Sequence, residues 1–166
     1  MPATLPVPIE FRLPYGWLPA KPNAVATDEV AFAAVHPHPD AGFAANITID
    51  GGIPTQAETL ADLADASVER LRHAADSAVE VTHRREVGPP DGPALTQHLA
   101  FSASIRDARR DLIQSQVYLS LQDVTDSHER AVIRLALTTT ANQHDSVLAE
   151  FQEFVRTVRP GSGAGA

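Results

Sequence analysis

Nine residues in the second half of the chain read IQSQVYLSL, from Ile113 to Leu121. Apolar residues or a small serine occupy every second position of this run, and the positions between them include Gln114, Gln116 and Tyr118. A period of two is typical of a β-strand, because successive side chains of a strand point to opposite faces of the sheet. The run therefore predicts a half-buried strand whose polar side chains turn away from the core.

Runs with the same period lie on both sides of this strand. They are 79–87, 95–101 and 131–137. Three earlier runs lie at 9–13, 30–34 and 43–49, and the last two of these are expected to form a hairpin. Short polar connections join successive runs in the second half of the chain. They favour antiparallel pairing, because parallel strands need a long crossover.

The period changes to that of a helix at two places. The first predicted helix covers the apolar positions from Leu60 to Leu71 and ends near Ala75. Thr59 is its candidate N-cap, and Thr55 competes for that role. This segment is amphipathic, so we expect it to lie on the sheet.

A second amphipathic helix begins near Asn142 or Asp145, and Pro160 stops it. Its apolar stripe consists of Val147, Leu148, Phe151, Phe154, Val155 and Val158. The sequence thus predicts an α+β fold, with a mostly antiparallel sheet of about six or seven strands and two main helices packed on it. We expect a single domain over 1–166, with an N-terminal arm at 1–7 and a flexible tail at 161–166.

Composition and charge exclude several classes of function. The 166 residues are 43% hydrophobic and 20% charged, which is typical of a globular protein. The formal charge of -8 gives no basic stripe to neutralise phosphates, so no nucleic-acid partner is expected. Because there is no cysteine, thiolate catalysis, thiolate metal sites and disulfides are excluded.

The N-terminal sequence and the hydropathy pattern bear on location. No basic start followed by an apolar stretch marks a secretory signal. No run approaches the roughly 20 apolar residues of a membrane span, so no membrane insertion is expected. We therefore expect a cytoplasmic protein, and export that reads no N-terminal signal stays open as an alternative.

The predicted sheet has two faces of different character. The apolar face, which the two helices are expected to cover, consists of Ile9, Phe11, Phe43, Ile47, Ile49, Leu95, Leu99, Phe101, Val117, Leu119, Ile133 and Leu135. The predicted interaction face consists of Asn46, Thr48, His98, Gln114, Gln116, Tyr118, Arg134 and Thr138. An antiparallel sheet can leave one face in water, so these residues form a solvated face, partly covered by the closing helix, or a surface for recognition or dimerisation. A catalytic cleft is the third alternative.

Histidines form two candidate clusters. His36 and His38 alternate with prolines ahead of Asp40, but no third or fourth metal ligand is evident, so a loop without metal is expected. His83 and His98 lie on successive predicted strands and could face each other across a hairpin. A histidine on a strand is interpreted here as a hydrogen-bonded structural residue.

Motifs that carry catalysis or bind cofactors are absent from the sequence. It contains no Gly-x-Ser-x-Gly elbow, no phosphate loop, no dinucleotide fingerprint and no His-Glu-x-x-His. Ser115 is interpreted as a small packed hydroxyl. A connection between two strands contains Arg106, Arg109 and Arg110, which are interpreted as solvated charges. The alternative is that they bind an anion or an acidic partner. The sequence therefore predicts no catalytic, cofactor-binding or metal-binding residues, and no enzyme.

Several short motifs resemble the LpqN-type family of actinobacterial proteins. They are Ile9–Pro14 with Gly16 and Trp17, Phe43–Ile49, Leu63–Asp65, Leu95–Gln97, Gln114–Tyr118 and Phe151–Phe154, in an order that runs from about Pro6 to Pro160. The resemblance implies a PsbP-like, or Mog-like, fold, in which helices flank an antiparallel sheet. It also implies a non-enzymatic protein, since related folds serve as binding or assembly modules. The sequence departs from the family pattern in having neither a signal peptide nor a lipidated cysteine.

Two functional hypotheses follow from these patterns. The preferred one is a non-catalytic interaction module, an adaptor or chaperone-like protein, which binds a protein partner or a second copy of itself through the predicted interaction face. The alternative is a small-molecule-binding protein or cryptic enzyme with a pocket between sheet and helix. The shape of the binding surface distinguishes the two hypotheses. Ligand sites are enclosed and have convergent polar groups, whereas an interaction face is broad and shallow.

Overall fold

The computed structural model describes residues 5, 8–21, 30–40, 42–55, 57–75, 78–88, 93–105, 108–122 and 130–161. In chain order the elements are β1 (Ile9–Glu10), β2 (Leu18–Ala20), β3 (Phe32–Val35), β4 (Asn46–Gly52), α1 (Leu60–Ala74), β5 (Glu80–Val87), β6 (Ala94–Ile105), β7 (Ala108–Gln122), β8 (Arg130–Thr140), α2 (His144–Thr157) and β9 (Arg159–Pro160). A seven-stranded sheet has the order β2-β3-β4-β8-β7-β6-β5, and all its neighbours are antiparallel. The predicted α+β fold is confirmed.

The two ends of the described chain pair with each other outside this sheet. Ile9 and Glu10 form a short antiparallel ladder with Pro160 and Arg159, so only the start of the predicted first strand is a strand. Of the predicted arm and tail, only residues 5 and 161 are described, and those boundaries stay predictions.

A tight turn at residues 14–17 precedes β2. Gly16 adopts a φ of +87°, a value that other residues rarely take, and the backbone N–H of Trp17 donates to the carbonyl of Pro14 at 3.2 Å. Trp17 is buried, whereas Leu18 is 58% exposed and begins an edge strand.

A capping box starts α1 where the sequence predicts it. The side chain of Thr59 accepts from the N–H of Asp62, and the Asp62 carboxylate accepts from the N–H of Thr59. This reciprocal pair satisfies two N–H groups that the helix leaves without partners. Thr59 is therefore the N-cap, and Ala75, near which the helix is predicted to end, is its C-cap.

The two helices lie on opposite faces of the sheet, which corrects the prediction that both cover one face. Phe151 and Phe154 of α2 pack in one cluster with Leu135. Leu60 of α1 packs in another cluster with Tyr118, on the opposite side of the same strands. The register explains the difference. β6 pairs with β7 so that Leu95 lies opposite Tyr118. The large apolar side chains that were predicted to share one face of the sheet are therefore divided between its two faces.

Neither helix among the described residues is long and apolar enough to span a membrane.

Candidate binding site

The predicted interaction face is not a solvent-exposed surface. Gln116 is 1% exposed and Tyr118 is 3% exposed, and Asn46 and Thr48 are also buried. Gln114, Arg134 and Thr138 are half-buried. The prediction of a broad exposed face is therefore wrong, because α1 packs on this face of the sheet.

His98 lies on the other face of the sheet from these residues. Its register partner on β7 is Ser115, whereas Gln116 lies opposite Gln97. Side chains alternate along a strand, so His98 shares a face with α2 and the rest of the predicted set shares a face with α1. The other seven predicted residues do lie on one face.

Gln116 is the centre of a buried hydrogen-bond network under α1. Its amide nitrogen donates to Ser67 Oγ at 2.9 Å and to Gln114 Oε1 at 2.5 Å. Its amide oxygen accepts from Gln97 Nε2 at 2.7 Å and from the Tyr118 hydroxyl at 3.0 Å. The two donors and two accepted bonds use the full capacity of a glutamine amide. A fully satisfied polar group of this kind can be buried at little cost.

Charged pairs close this network at two sides. On the β5 side, Arg84 donates to Gln97 Oε1 at 2.9 Å and pairs with Asp65 at 2.7 Å. On the β4 side, Arg134 donates to Ser67 Oγ at 2.9 Å and pairs with Asp50 at 2.5 Å. α1 is therefore bound to the sheet by polar groups as well as by its apolar side chains.

The guanidinium of Arg134 stays charged although it is 11% exposed. Burial alone lowers the pKa of Arg134, but the Asp50 carboxylate and the Tyr118 hydroxyl outweigh burial and raise it above its ordinary value. A buried charge persists only where it is paired in this way.

A cleft of about 320 Å³ opens beside this charged pair, between α1 and the end of β4. Its lining consists of Asp50, Gly51, Gly52, Ile53, Pro54, Glu58, Leu63, Ala66, Arg70, Tyr118, Val132 and Arg134. Tyr118 and Val132 are buried, whereas Ile53 is 52% exposed and Arg70 is exposed. The cleft is thus closed by buried side chains on its inner side and open at its rim.

The polar side chains of the cleft include groups that hydrogen-bond to neighbouring parts of the protein. The Tyr118 hydroxyl donates to Gln116, and Glu58 Oε1 accepts from the backbone N–H of Thr55 at 3.0 Å. No group of three or more histidines, aspartates or glutamates among the described residues is placed to hold a metal ion. Ligand sites of this general kind combine apolar walls with a few polar groups that orient the ligand.

Sequence patterns alone did not single out Ser67, Gln97, Asp50 and Arg70. One signal was available for Gln97, because it alternates with Leu95 and Leu99 in a row of otherwise large apolar side chains. Gln97 is 0% exposed. A polar residue at such a position indicates a buried amide that needs a partner on a neighbouring element.

The remaining arginine cluster is only partly described. Arg109 and Arg110 belong to β7 rather than to a connection, so that prediction is wrong for them. Asp111 accepts from the Ser102 hydroxyl at 2.6 Å on the neighbouring strand. Arg106 lies outside the described residues.

His36 and Trp17 meet at the carboxylate of Glu150 on α2. Trp17 Nε1 donates to Glu150 Oε1 at 3.3 Å, and His36 Nε2 lies 3.4 Å from Glu150 Oε2. His36 Nδ1 accepts from the N–H of His38 at 3.0 Å. Both ring nitrogens of His36 therefore have partners in the protein.

A second histidine cluster lies on the α2 side of the sheet. His83 and His98 face each other as predicted, with ring centroids 5.6 Å apart. Ser115 Oγ lies 2.7 Å from His98 Nδ1 and 3.1 Å from Nε2 of His144, which begins α2. One hydroxyl can donate to only one of two imidazoles, so the other ring must donate to it. Ser115 is 2% exposed and acts as a structural bridge between the two rings.

We expect this cluster to make the stability of the protein dependent on pH. Burial, followed by His144 and His83, lowers the pKa of His98 below its ordinary value of 6.5. The neutral form of His98 is therefore favoured in the folded state. Its contribution is present above about pH 6.5 and is lost as the pH falls toward the lowered folded pKa, where the unfolded chain binds more protons. We expect urea unfolding to show a loss of stability as the pH falls below about 6.5.

The groups that face His98 define the controls for this measurement. These are His83 on β5, Ser115 on β7 and His144 on α2, with Asp145 3.6 Å from His144. His98→Gln should flatten the pH profile, whereas a glutamine at the exposed His73 of α1 should leave it unchanged. Equal profiles for the wild type and the His98→Gln variant would show that another group causes the pH dependence.

Comparison with known proteins supports the fold. No family model matches this sequence, and no curated protein matches it either. Among solved structures, LpqN of Mycobacterium tuberculosis, which is involved in cell envelope biogenesis, is 11% identical. It superposes with a TM-score of 0.62 over 92% of this chain and 84% of its own.

Two further solved structures share the same architecture. The cyanobacterial PsbP of Synechocystis is 16% identical and has a TM-score of 0.58 over 92% of this chain and 86% of its own. The Saccharomyces cerevisiae Ran-binding protein Mog1p is 13% identical and has a TM-score of 0.57 over 92% of this chain and 89% of its own. The chain therefore has a PsbP/Mog-like fold, and the resemblance inferred from its sequence motifs is confirmed at the level of the fold.

The expected cytoplasmic location is wrong in the light of these comparisons. The similar LpqN takes part in cell envelope biogenesis, which points away from the cytoplasm.

Proposed function

We propose that the chain is a non-catalytic protein-binding module, and that it holds its partner at the cleft between α1 and the end of β4. The observation that carries the proposal is the contrast between the interior and the rim of this cleft. At the inner side of the cleft, the Tyr118 hydroxyl already donates to the buried Gln116 behind it, while Ile53 stands 52% exposed at the opening. Ile53 lies in the lining together with Pro54 and Leu63, and an apolar patch beside a concave surface suits protein docking.

Two further observations support a binding role over catalysis. The buried hydroxyls and amides under α1 already have partners, so none is poised as a nucleophile or as a general acid or base. Among the structures that share the fold, Mog1p is a Ran-binding protein. A PsbP/Mog-like fold can thus present a protein-binding surface.

The volume of the cleft favours one alternative, a small-molecule-binding protein. At about 320 Å³ it lies at the lower end of the range for ligand sites, about 300–1,000 Å³. A small-molecule site would be filled by a free metabolite and would yield no protein adduct at its rim.

A photo-crosslinking amino acid at Ile53 tests the proposal in cells of the organism that carries the gene. We expect one discrete protein adduct, because Ile53 stands at the rim of the cleft. A second copy of the chain would appear as an adduct of twice the mass. The same amino acid at Gln152, exposed on α2, is the control and should give no adduct of that mass. Adducts of the same mass from both positions, or none from Ile53, would contradict the proposal.

A further inference from the structure

The seven-stranded sheet ends on one side at β5, and the outer edge of β5 is open. Among the described residues β5 pairs with β6 and with no other strand. Every residue from Glu80 to Glu86 is exposed. The strand at the opposite end, β2, has three residues and contains Pro19, which has no N–H to donate. The longer edge that can pair with a further strand is therefore that of β5.

A groove of about 340 Å³ lies beside this edge, between β5 and α1. Its apolar surface comes from Val68, which is 4% exposed, and from Val81, which is 39% exposed. The other residues of the lining form two ion pairs, Asp65 with Arg84 at 2.7 Å and Glu69 with Arg72. Because these charges balance each other, the groove suits an uncharged side chain.

The register of β5 places the groove within reach of a segment paired with its edge. Arg84 lies opposite Gln97, whose amide contacts α1, so Arg84 points to the α1 face of the sheet. A bulge lies between Val81 and His83, and regular pairing with β6 continues from there to Val87. On a further strand, the residue directly opposite Arg84 would also point to the α1 face, next to the groove.

A segment of a different protein fits this edge better than a second copy of β5. Residues directly opposite each other in an antiparallel pair point to the same face. A two-fold axis that pairs β5 with its own copy therefore places one residue opposite itself. At the centre of the regular part that residue is Arg84, Arg85 or Glu86, and like charges directly opposite each other are destabilising. A helix does not fit either, because its backbone groups bond to one another.

We propose that β5 binds an extended segment of a partner protein as an additional strand, and that an aliphatic side chain of this segment fills the groove between β5 and α1. This surface shares no lining residue with the cleft of the proposed function, so it is a second binding site. Hydrogen bonds between the two backbones supply affinity, and the groove selects the side chain. Addition of a peptide strand to an exposed sheet edge is an established mode of recognition.

A capped pentapeptide of alternating threonine and valine, Ac-TVTVT-NH₂, is a direct probe of this edge. Its matched control is the same peptide N-methylated at its three central amides, which keeps the side chains and removes main-chain donors. The backbone amide signals of residues 83–87 in ¹H–¹⁵N NMR spectra report on binding. We expect saturable shifts with a dissociation constant of about 1 mM, and at least about tenfold weaker binding of the methylated peptide.

Two variants of the full chain test the groove separately from the edge. Val81→Asp places a charge in the groove and should weaken binding of the unmodified peptide about tenfold. Arg85→Gln, on the opposite face of the same strand, should leave binding unchanged. The methylated peptide tests the edge without any change to the chain.

Several results would overturn the inference. These are equal binding of the methylated peptide, equal effects of the two variants, the absence of a saturable shift, or shifts at Gly51 and Gly52 of the cleft in place of β5. A dimer of the free chain in light scattering, with the β5 signals shifted at high protein concentration, would assign the edge to a second copy and would also overturn it. None of these results bears on an adduct from Ile53, which tests the cleft alone.

Discussion

Gln116→Ala is expected to lower the free energy of unfolding by about 3 kcal/mol. The substitution removes a side chain that is 1% exposed and leaves a cavity beneath α1. The Tyr118 hydroxyl loses its acceptor, and the amide nitrogen of Gln97 keeps only its contact with the Ala64 carbonyl at 3.3 Å. Urea unfolding followed by circular dichroism measures the loss.

A second glutamine provides the matched control. Gln152→Ala, on the exposed side of α2, should change the stability by no more than about 0.5 kcal/mol. If Gln116 faced solvent on a docking surface, the two substitutions would have similar small effects. A loss below about 0.5 kcal/mol for Gln116→Ala would contradict the buried network.

Local patterns in the sequence were sufficient to predict the elements. The alternation from Ile113 to Leu121 lies inside β7, and the N-cap at Thr59 and the end at Ala75 bound α1. These features depend on neighbours within a few residues, through side-chain period and capping hydrogen bonds. They can therefore be predicted without knowledge of tertiary contacts.

The division of residues between the two sheet faces could not be predicted in the same way. Each strand has its own alternation, and a shift of one residue between neighbouring strands exchanges their faces. Grouping Leu95 and Leu99 with Val117 assumed a register that the structure does not have, since Val117 lies opposite Thr96. The alternation within a single strand does not fix this register.

One feature of β8 indicated the correct layering. Apolar residues occupy consecutive positions from Ala131 to Leu137, interrupted only by Arg134. A near-continuous apolar run is typical of a strand that is buried on both faces. Ile133 and Val132 are 0% and 4% exposed, and they pack in clusters with different helices. Because a helix packs on each face, the described residues leave no exposed polar surface at the centre of the sheet. The candidate site lies instead at the edge of α1.

Asp50→Asn is expected to cost about 3 kcal/mol, because it removes one partner of a largely buried ion pair. The amide keeps the shape of the carboxylate and can still accept from Arg134, but it cannot balance the guanidinium charge. The side chain of Arg134 is 11% exposed and that of Asp50 is 21% exposed. Water therefore compensates little of the lost charge, and urea unfolding should show the difference.

A double variant distinguishes the cost of leaving Arg134 with an unpaired buried charge from the loss of its attraction to Asp50. Arg134→Met in the Asp50→Asn background removes the uncompensated charge and leaves an apolar side chain of similar length, so stability should recover in part. Glu153→Gln is the control, since Glu153 and Arg156 form an exposed pair at 3.5 Å, and it should cost no more than about 1 kcal/mol. If Asp50→Asn cost no more than this control, solvent would screen the pair beside the cleft. Arg134 would then have no need of Asp50 to remain charged beneath α1.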